Sequence, residues 1–249
     1  MQGQFASRKK RYRCAVILIV AFFVGRLVGH WHMEEDIQPA IRLADTGDQS
    51  SEQGESEVAS EEELPKQIAI TFDDGPNPYY TETLLEGLKK RGVKATFFLL
   101  GAEVEQYPDI VEHIEEDGHL IGVHSYEHVN FGQIGDEAAM VQIETTREAI
   151  HAITGEYSGF IRPPYGCWKD SLNEQVPMIE VLWDVDPLDW ATTSSDAVAQ
   201  RIFAAVEDGG TIILLHDASE SSVQAAFTVI DTLKEQGYEF VTVEELIIM

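Results

Sequence analysis

The stretch AITFDDGPNP, Ala69 to Pro78, decides the fold and raises the question of function. An apolar run ends here in two adjacent aspartates, Asp73 and Asp74, and a Gly-Pro pair follows them. Like charges this close disfavour ionisation of both carboxylates, unless a cation or another positive group stabilises them. The pair is therefore typical either of a polar turn after a strand or of a site that divides two carboxylates between two tasks.

Short apolar runs and amphipathic stretches alternate along the chain from residue 65 onward. The predicted strands are 67–72, 95–100, 119–124, 159–162, 179–185, 211–215 and 239–243. The predicted helices lie near 80–91, 108–117, 136–153, 194–207 and 220–236. This alternation indicates an α/β fold with parallel strands and helices packed outside them. About seven strands favour a barrel over an open sheet.

Polar residues cluster directly after five of these strands. In chain order the clusters contain Asp73 and Asp74, His124 and His128, Arg162 and Tyr165, Asp189 and Trp190, and His216. In a parallel barrel all of these points share the C-terminal face, where active sites are built. Five clusters that converge on one face indicate a functional site and are hard to explain by packing alone.

The segment HSYEH places His124 and His128 four residues apart. On a helical turn, residues at this spacing share a face, as in metal-binding helices. Two histidines alone at this spacing are more often incidental. Two histidines with one carboxylate, however, make a catalytic zinc set that leaves a position open for water.

Five segments together make the sequence recognisable: TFDDGP, HSYEH, RPPYG, DPLDW and LLH, in this order. They resemble the five motifs of the polysaccharide deacetylases of carbohydrate esterase family 4, the NodB homology domain. The resemblance spans about residues 66–247, and each motif falls at a predicted strand end. It implies a distorted (β/α) barrel with about seven parallel strands and a metal-dependent hydrolase that removes acetyl groups from a polysaccharide.

The resemblance also implies a role for each matched residue. Asp73 would be the general base, oriented and kept ionised by Arg162, and His216 would be the general acid, paired with Asp189. The implied metal ligands are Asp74, His124 and His128. The implied substrate-binding residues are Tyr165, whose backbone N–H would help to bind the oxyanion, Trp190 and Leu214. The metal that fits two histidines and an aspartate best is Zn²⁺, with Co²⁺ or Ni²⁺ as alternatives.

The N-terminal 64 residues differ in composition from the rest of the chain. Residues 1–13 are basic, residues 14–31 are mostly apolar, and residues 32–64 are rich in Glu, Ser, Gln and Gly. The apolar segment just reaches the length of a membrane span, and its basic flank predicts a cytoplasmic N-terminus. We expect an uncleaved anchor, a disordered acidic linker and an extracytoplasmic domain over 65–249. The alternative is a cleaved signal peptide, which would make the protein secreted.

The chain carries a formal net charge of −27, which argues against nucleic-acid binding because that requires Lys and Arg on phosphates. With only Cys14 and Cys167 present, no disulfide framework is expected. We expect a monomer whose substrate is the N-acetylglucosamine of cell-wall peptidoglycan. The alternatives are O-deacetylation of acetylated xylan or another glycan, and a non-catalytic wall-binding module.

Overall fold

The computed structural model describes residues 66–207 and 209–248. The predicted basic segment 1–13, anchor 14–31 and linker 32–64 lie outside these residues. Within the described part of the chain, no helix is both long and apolar enough to cross a bilayer. The described residues all fall within the predicted domain 65–249.

Within residues 66–207 and 209–248, seven parallel strands form one curled sheet. They are β1 (Lys66–Asp73), β2 (Thr96–Leu99), β3 (Leu120–Val123), β4 (Phe160–Ile161), β5 (Ile179–Glu180), β6 (Thr211–His216) and β7 (Tyr238–Phe240). The spatial order is β5-β4-β3-β2-β1-β6, and β7 pairs with the first residues of β1. A parallel bridge between Val185 and Ile213 joins the segment after β5 to β6. The prediction of a distorted parallel barrel is confirmed.

Seven α-helices are present in the described residues. They are α1 (Thr81–Arg91), α2 (Gly101–Gln106), α3 (Pro108–Glu116), α4 (Asp136–Thr154), α5 (Ser195–Phe203), α6 (Glu220–Glu235) and α7 (Val243–Ile248). The five predicted helices are confirmed, and α2 and α7 were not predicted. Pro108 opens α3, where its missing N–H costs nothing, and the left-handed Gly92 follows the end of α1.

Two predicted strands are wrong in part. The run 179–185 pairs as a strand only at Ile179–Glu180, although Val185 later touches β6. The run 239–243 ends as a strand at Phe240 and then enters α7. The cause is a capping box: Thr242 Oγ1 accepts the Glu245 N–H at 3.3 Å, and Glu245 Oε2 accepts the Thr242 N–H at 2.8 Å.

The core has two layers because side chains alternate across the sheet. On β1, Ile68, Ile70 and Phe72 belong to the large cluster under the helices, whereas Ala69 belongs to a smaller cluster on the inner face. The other buried members of the inner cluster are Phe98, Phe160, Val181, Ile212 and Val243. The alternation that turns Ala69 inward also turns Asp73 inward, at the C-terminal end of the barrel.

Candidate active site

Asp74 and two histidines form a group that could hold a metal ion. His124 Nε2 and His128 Nε2 each lie 3.4 Å from Asp74 Oδ1. One ligand atom from each of the three residues lies within 4.8 Å of the others. Asp74 Oδ1 is buried and has no hydrogen-bond partner among the residues that the structure describes. A buried carboxylate oxygen that faces two imidazole nitrogens is well suited to a cation, so the residues present fit a metal.

Each imidazole is oriented through its other nitrogen. His124 Nδ1 donates to the carbonyl oxygen of Arg162 at 2.7 Å, which leaves the Nε2 lone pair directed at Asp74. Burial lowers the pKa of His124 to about 3, so its ring is neutral near pH 7, as a metal ligand must be. His128 Nδ1 lies 3.2 Å from the hydroxyl of Tyr165, and the two rings meet edge to face.

The two histidines do not share a helical face, so that interpretation of their spacing was wrong. Residues 124–130 form a turn, in which Ser125 and His128 have φ values of +80° and +56°. Left-handed backbone at these two positions is incompatible with a right-handed helix. The turn nevertheless brings the two rings to a centroid separation of 5.2 Å.

Asp73 is buried at the end of β1 against Arg162. Nη1 of Arg162 donates to Asp73 Oδ1 and to Thr71 Oγ1, both at 2.7 Å. The guanidinium lies over the Phe98 ring at 4.2 Å, inside the barrel. Burial raises the pKa of Asp73 above its usual value, while the charge of Arg162 opposes that shift. The predicted contact between base and arginine is therefore present, in a setting that gives the carboxylate more basicity than an exposed aspartate has.

His216 and Asp189 form a second couple at the end of β6. His216 Nδ1 lies 2.9 Å from Asp189 Oδ1, and the His216 backbone N–H donates to Asp189 Oδ2 at 2.8 Å. Burial alone would lower the pKa of His216. The hydrogen bond to Asp189 and the negative charges of Asp189, Asp73 and Asp74 outweigh the effect of burial and raise that pKa to about 9. His216 is thus cationic near neutral pH, and its Nε2 lies 3.9 Å from Asp74 Oδ2.

The predicted substrate-binding residues differ in exposure. Tyr165 is 64% exposed and Trp190 is 67% exposed, whereas Leu214 is buried in the barrel. Tyr165 contacts His128 directly, and its backbone is left-handed with a φ of +59°. Trp190 directly follows Asp189 in a 3₁₀ turn and presents its ring to solvent. The structure therefore brings Tyr165 to the predicted metal ligand His128 and leaves Trp190 at the surface, next to Asp189 in the chain.

Three residues near the site had no predicted role. Thr71 bridges Arg162 to the Ile213 carbonyl, and its position two residues before Asp73 on β1 was a usable signal. Asp217 follows His216 and accepts a hydrogen bond from Thr81. Burial raises the pKa of Asp217 to about 6, against the effect of the Thr81 hydrogen bond. The third residue, Gln142, lies on α4 and has no sequence signal that links it to the site.

Comparison with known proteins shows the family to which the chain is similar. Residues 60–179 match the family model described as polysaccharide deacetylase. The chain is 41% identical over 181 residues to peptidoglycan-N-acetylmuramic acid deacetylase PdaC of Bacillus subtilis, covering 73% of this chain and 38% of PdaC. It is 38% identical to peptidoglycan-N-acetylglucosamine deacetylase PgdA of Listeria monocytogenes, covering 73% of this chain and 39% of PgdA. The chain thus spans about two fifths of the length of these relatives.

Solved structures give the same result. The structure of PdaC superimposes with a TM-score of 0.71 at 40% identity, covering 74% of this chain and 90% of that one. A Bacillus anthracis protein described as a carbohydrate esterase family 4 pseudoenzyme, BA3943, superimposes with a TM-score of 0.69 at 31% identity, covering 74% and 66%. Matching sequence and fold lead to one conclusion: the chain belongs to the polysaccharide deacetylase family.

Proposed function

We propose that the domain is a metal-dependent hydrolase that removes N-acetyl groups from cell-wall peptidoglycan, acting on its N-acetylglucosamine. One observation carries this proposal. A triad fit for a cation lies between a buried carboxylate and a cationic histidine, which are the base and the acid that amide hydrolysis requires. No residue of the triad or of the acid–base pair is missing.

The chemistry follows from the residues in place. A divalent cation held by Asp74, His124 and His128, most suitably zinc, would polarise an amide carbonyl and lower the pKa of a water molecule. Asp73, fixed by Arg162, accepts the proton of the attacking water. His216, kept protonated by Asp189, donates a proton to the departing amine nitrogen. The two groups are held in opposite environments, as an acid–base pair requires.

The outer parts of the site complete the proposal. The backbone N–H of Tyr165 would help to stabilise the oxyanion that forms on the acetyl carbonyl, as backbone donors do in other acyl-transfer sites. Leu214 would form the floor of an acetyl pocket, and Tyr165 and Trp190 would form its walls. Exposed aromatic rings beside a hydrolytic centre suit the apolar faces of sugar rings.

Peptidoglycan is favoured because PdaC and PgdA are both named as peptidoglycan deacetylases. Their names differ in the sugar, N-acetylmuramic acid for PdaC and N-acetylglucosamine for PgdA. We propose that this chain deacetylates N-acetylglucosamine and that it acts as a monomer. We also propose that it is a single-pass membrane protein with its catalytic domain outside the cell. This proposal rests on the basic segment 1–13 and the apolar segment 14–31.

The test is acetate release by the purified full-length protein. The substrates are N-acetylglucosamine oligomers, peptidoglycan with either amino sugar selectively acetylated, and acetylated xylan. Each is assayed after chelation and after Zn²⁺, Co²⁺ or Ni²⁺ is restored. We expect chelator-sensitive release from the N-acetylglucosamine substrates.

Other outcomes would redirect or reject the proposal. Release only from acetylated xylan would make the protein an O-deacetylase, and release only from muramic acid would correct the sugar. The absence of chelator-sensitive release from every substrate would favour a non-catalytic wall-binding module, in line with the existence of a pseudoenzyme in this family.

A further inference from the structure

The turn that carries both histidine ligands is held in an unfavourable backbone conformation. Ser125 and His128 are left-handed, a conformation that non-glycine residues rarely adopt and that persists only where the surroundings enforce it. His128 is the more exposed of the two histidine ligands, and the turn, together with its contact with Tyr165, determines where its ring lies. Whatever fixes this turn therefore also fixes the distance between the two imidazoles.

The carbonyl groups of the turn are held from one side by the start of α2. The Gly101 N–H donates to the Ser125 carbonyl at 3.0 Å, and the Ala102 N–H donates to the Tyr126 carbonyl at 3.1 Å. Gly101 has no room for a side chain, because an added Cβ would lie 2.4 Å from the Tyr126 ring. The first turn of α2 thus packs directly against the HSYEH segment.

Two N–H groups of the turn are held by a single side chain of α4. Gln142 Oε1 accepts the N–H of Tyr126 and the N–H of Glu127, both at 2.9 Å. The amide nitrogen of Gln142 also donates to Glu127 Oε2 at 3.3 Å. One carbonyl oxygen therefore satisfies two consecutive backbone donors in the strained segment between the two ligands.

We propose that Gln142 is a positioning residue for the metal site. By accepting both N–H groups it stabilises the left-handed turn before any ion arrives, so that His124 and His128 are preorganised for binding. The inference rests on that part of the proposed function in which the Asp74–His124–His128 triad binds a metal. Outer residues that orient metal ligands typically change metal affinity 10- to 100-fold when they are removed.

Two variants distinguish the effect of the acceptor oxygen of Gln142 from the effect of the size and shape of its side chain. Gln142→Met keeps the length of the side chain but removes its acceptor. The exchange variant Gln142→Glu with Glu127→Gln keeps an oxygen at position 142 and restores a donor at position 127, without a change in net charge. Gln224→Met, at an exposed position on α6, is the matched control.

The measurements are made on the full-length protein. Zinc affinity is determined by competition with a chromophoric chelator, and the coordination of Co²⁺ is followed by its visible absorption spectrum. We expect Gln142→Met to weaken zinc binding about 10- to 100-fold and to alter the Co²⁺ spectrum. The exchange variant and Gln224→Met should stay within about threefold of the wild type, as outer substitutions that keep the ligand geometry would.

Three outcomes would overturn the inference. The first is a Gln142→Met variant with wild-type zinc affinity and Co²⁺ spectrum. The second is an exchange variant whose zinc affinity falls as far as that of Gln142→Met. The exchange variant retains the acceptor oxygen, so such a loss could not come from removal of the acceptor. The third is a wild-type protein that binds neither metal, which would reject the proposed function as well. Should Gln142→Met fail to fold, Gln142→Asn withdraws the acceptor with a shorter polar side chain and gives the same comparison.

Discussion

The two kinds of histidine in this site are distinguished by their neighbours. The buried His124 donates a hydrogen bond from its Nδ1 to the Arg162 carbonyl oxygen, and burial lowers the pKa of His124 to about 3. His216 meets the carboxylate of Asp189, and despite burial its pKa rises to about 9. The same side chain is thus neutral at the position proposed for a metal ligand and charged at the position proposed for the proton donor.

The role of Asp73 can be tested by Asp73→Asn. An amide accepts no proton, but it keeps the size of the side chain and an oxygen that can face Arg162. We expect turnover to fall about 10²- to 10⁴-fold, the usual contribution of a positioned base, with the metal retained. Acetate release and metal content are measured on the same preparation.

The variant to compare with Asp73→Asn is Asp74→Asn. It should lose metal and turnover together, because it alters a proposed metal ligand. Full activity in Asp73→Asn would show that Asp73 is not the base. Loss of metal in both variants would show that the two carboxylates do not divide their tasks as proposed.

The pH profile of turnover reports on His216. Its pKa is raised to about 9, so the acid is protonated below that value and activity is lost as the pH rises through it. Asp189→Asn removes the charge and the strongest hydrogen-bonding partner of His216, so its pKa falls. We expect the alkaline limb of kcat/KM to move to lower pH, within a profile measured from about pH 5 to pH 10.

Asp196→Asn removes a carboxylate from an exposed position on α5 and should leave that limb in place. An alkaline limb that is unchanged in Asp189→Asn would show that the profile reports another group. A limb that shifts equally in both variants would indicate a general effect of protein charge.

At the scale of elements, the sequence predicted most of the fold because strand ends and helix patterns carry strong local signals. All seven strands, two of them only in part, and five of the seven helices in the described residues were predicted, and most of the polar residues after the strands meet at one end of the barrel. Two of the errors arise where side-chain hydrogen bonds override the local pattern. The Thr242–Glu245 capping box begins α7 inside an apolar run, and the hydrogen bonds of Gln142 favour a left-handed turn where spacing indicated a helix.

Most predicted site residues came together for the same reason, since strand ends in a parallel barrel meet by topology. Gln142 could not be found in this way, because it lies in the middle of α4, 14 residues beyond His128, and reaches the site only through tertiary packing. The burial of Leu214 and the exposure of Trp190 likewise depend on tertiary packing, which the hydrophobic periodicity of the sequence does not predict.

The loop between β1 and α1 is joined to the end of β6 by a small hydrogen-bonded clamp. The buried Thr81 hydroxyl donates to Asp217 and accepts the Asn77 N–H at 2.7 Å. Gly75 lies so close that an added Cβ would be 2.7 Å from Asp217 Oδ2. The clamp therefore sets the loop that follows Asp74 against the residue that follows His216.

Thr81→Val removes the clamp hydroxyl with little change in shape. It leaves the buried carboxylate of Asp217 and the Asn77 N–H without this partner. We therefore expect the free energy of unfolding to fall by about 1–3 kcal/mol. Urea denaturation measures the difference through the transition midpoint.

Thr228→Val on α6 is the control, because the exposed Thr228 hydroxyl donates to a carbonyl of its own helix and to no other group among the described residues. It should change stability by no more than about 0.5 kcal/mol. Equal stabilities of Thr81→Val and the wild type would show that the clamp contributes nothing to the fold.

For the whole molecule, the distribution of the site along the chain links metal binding to folding. Asp74 follows β1 and the two histidines follow β3, so the triad exists only when these strands are paired through β2. A ligand that binds only the folded state stabilises it by mass action. Metal should therefore raise the melting temperature of the domain as well as its activity.

Removal of metal from the full-length protein should lower its melting temperature. At free zinc about 100-fold above the dissociation constant, stabilisation is about 2.7 kcal/mol, which corresponds to roughly 5–11 °C for a domain of this size. Calorimetry with zinc and with chelator measures the shift. Asp74→Asn should abolish most of it, whereas His113→Ala, which alters a histidine paired with Glu82 on α1 and not with the triad, should retain it. A shift that survives in Asp74→Asn would place the stabilising metal elsewhere on the protein, and no shift in the wild type would mean that the triad does not hold zinc.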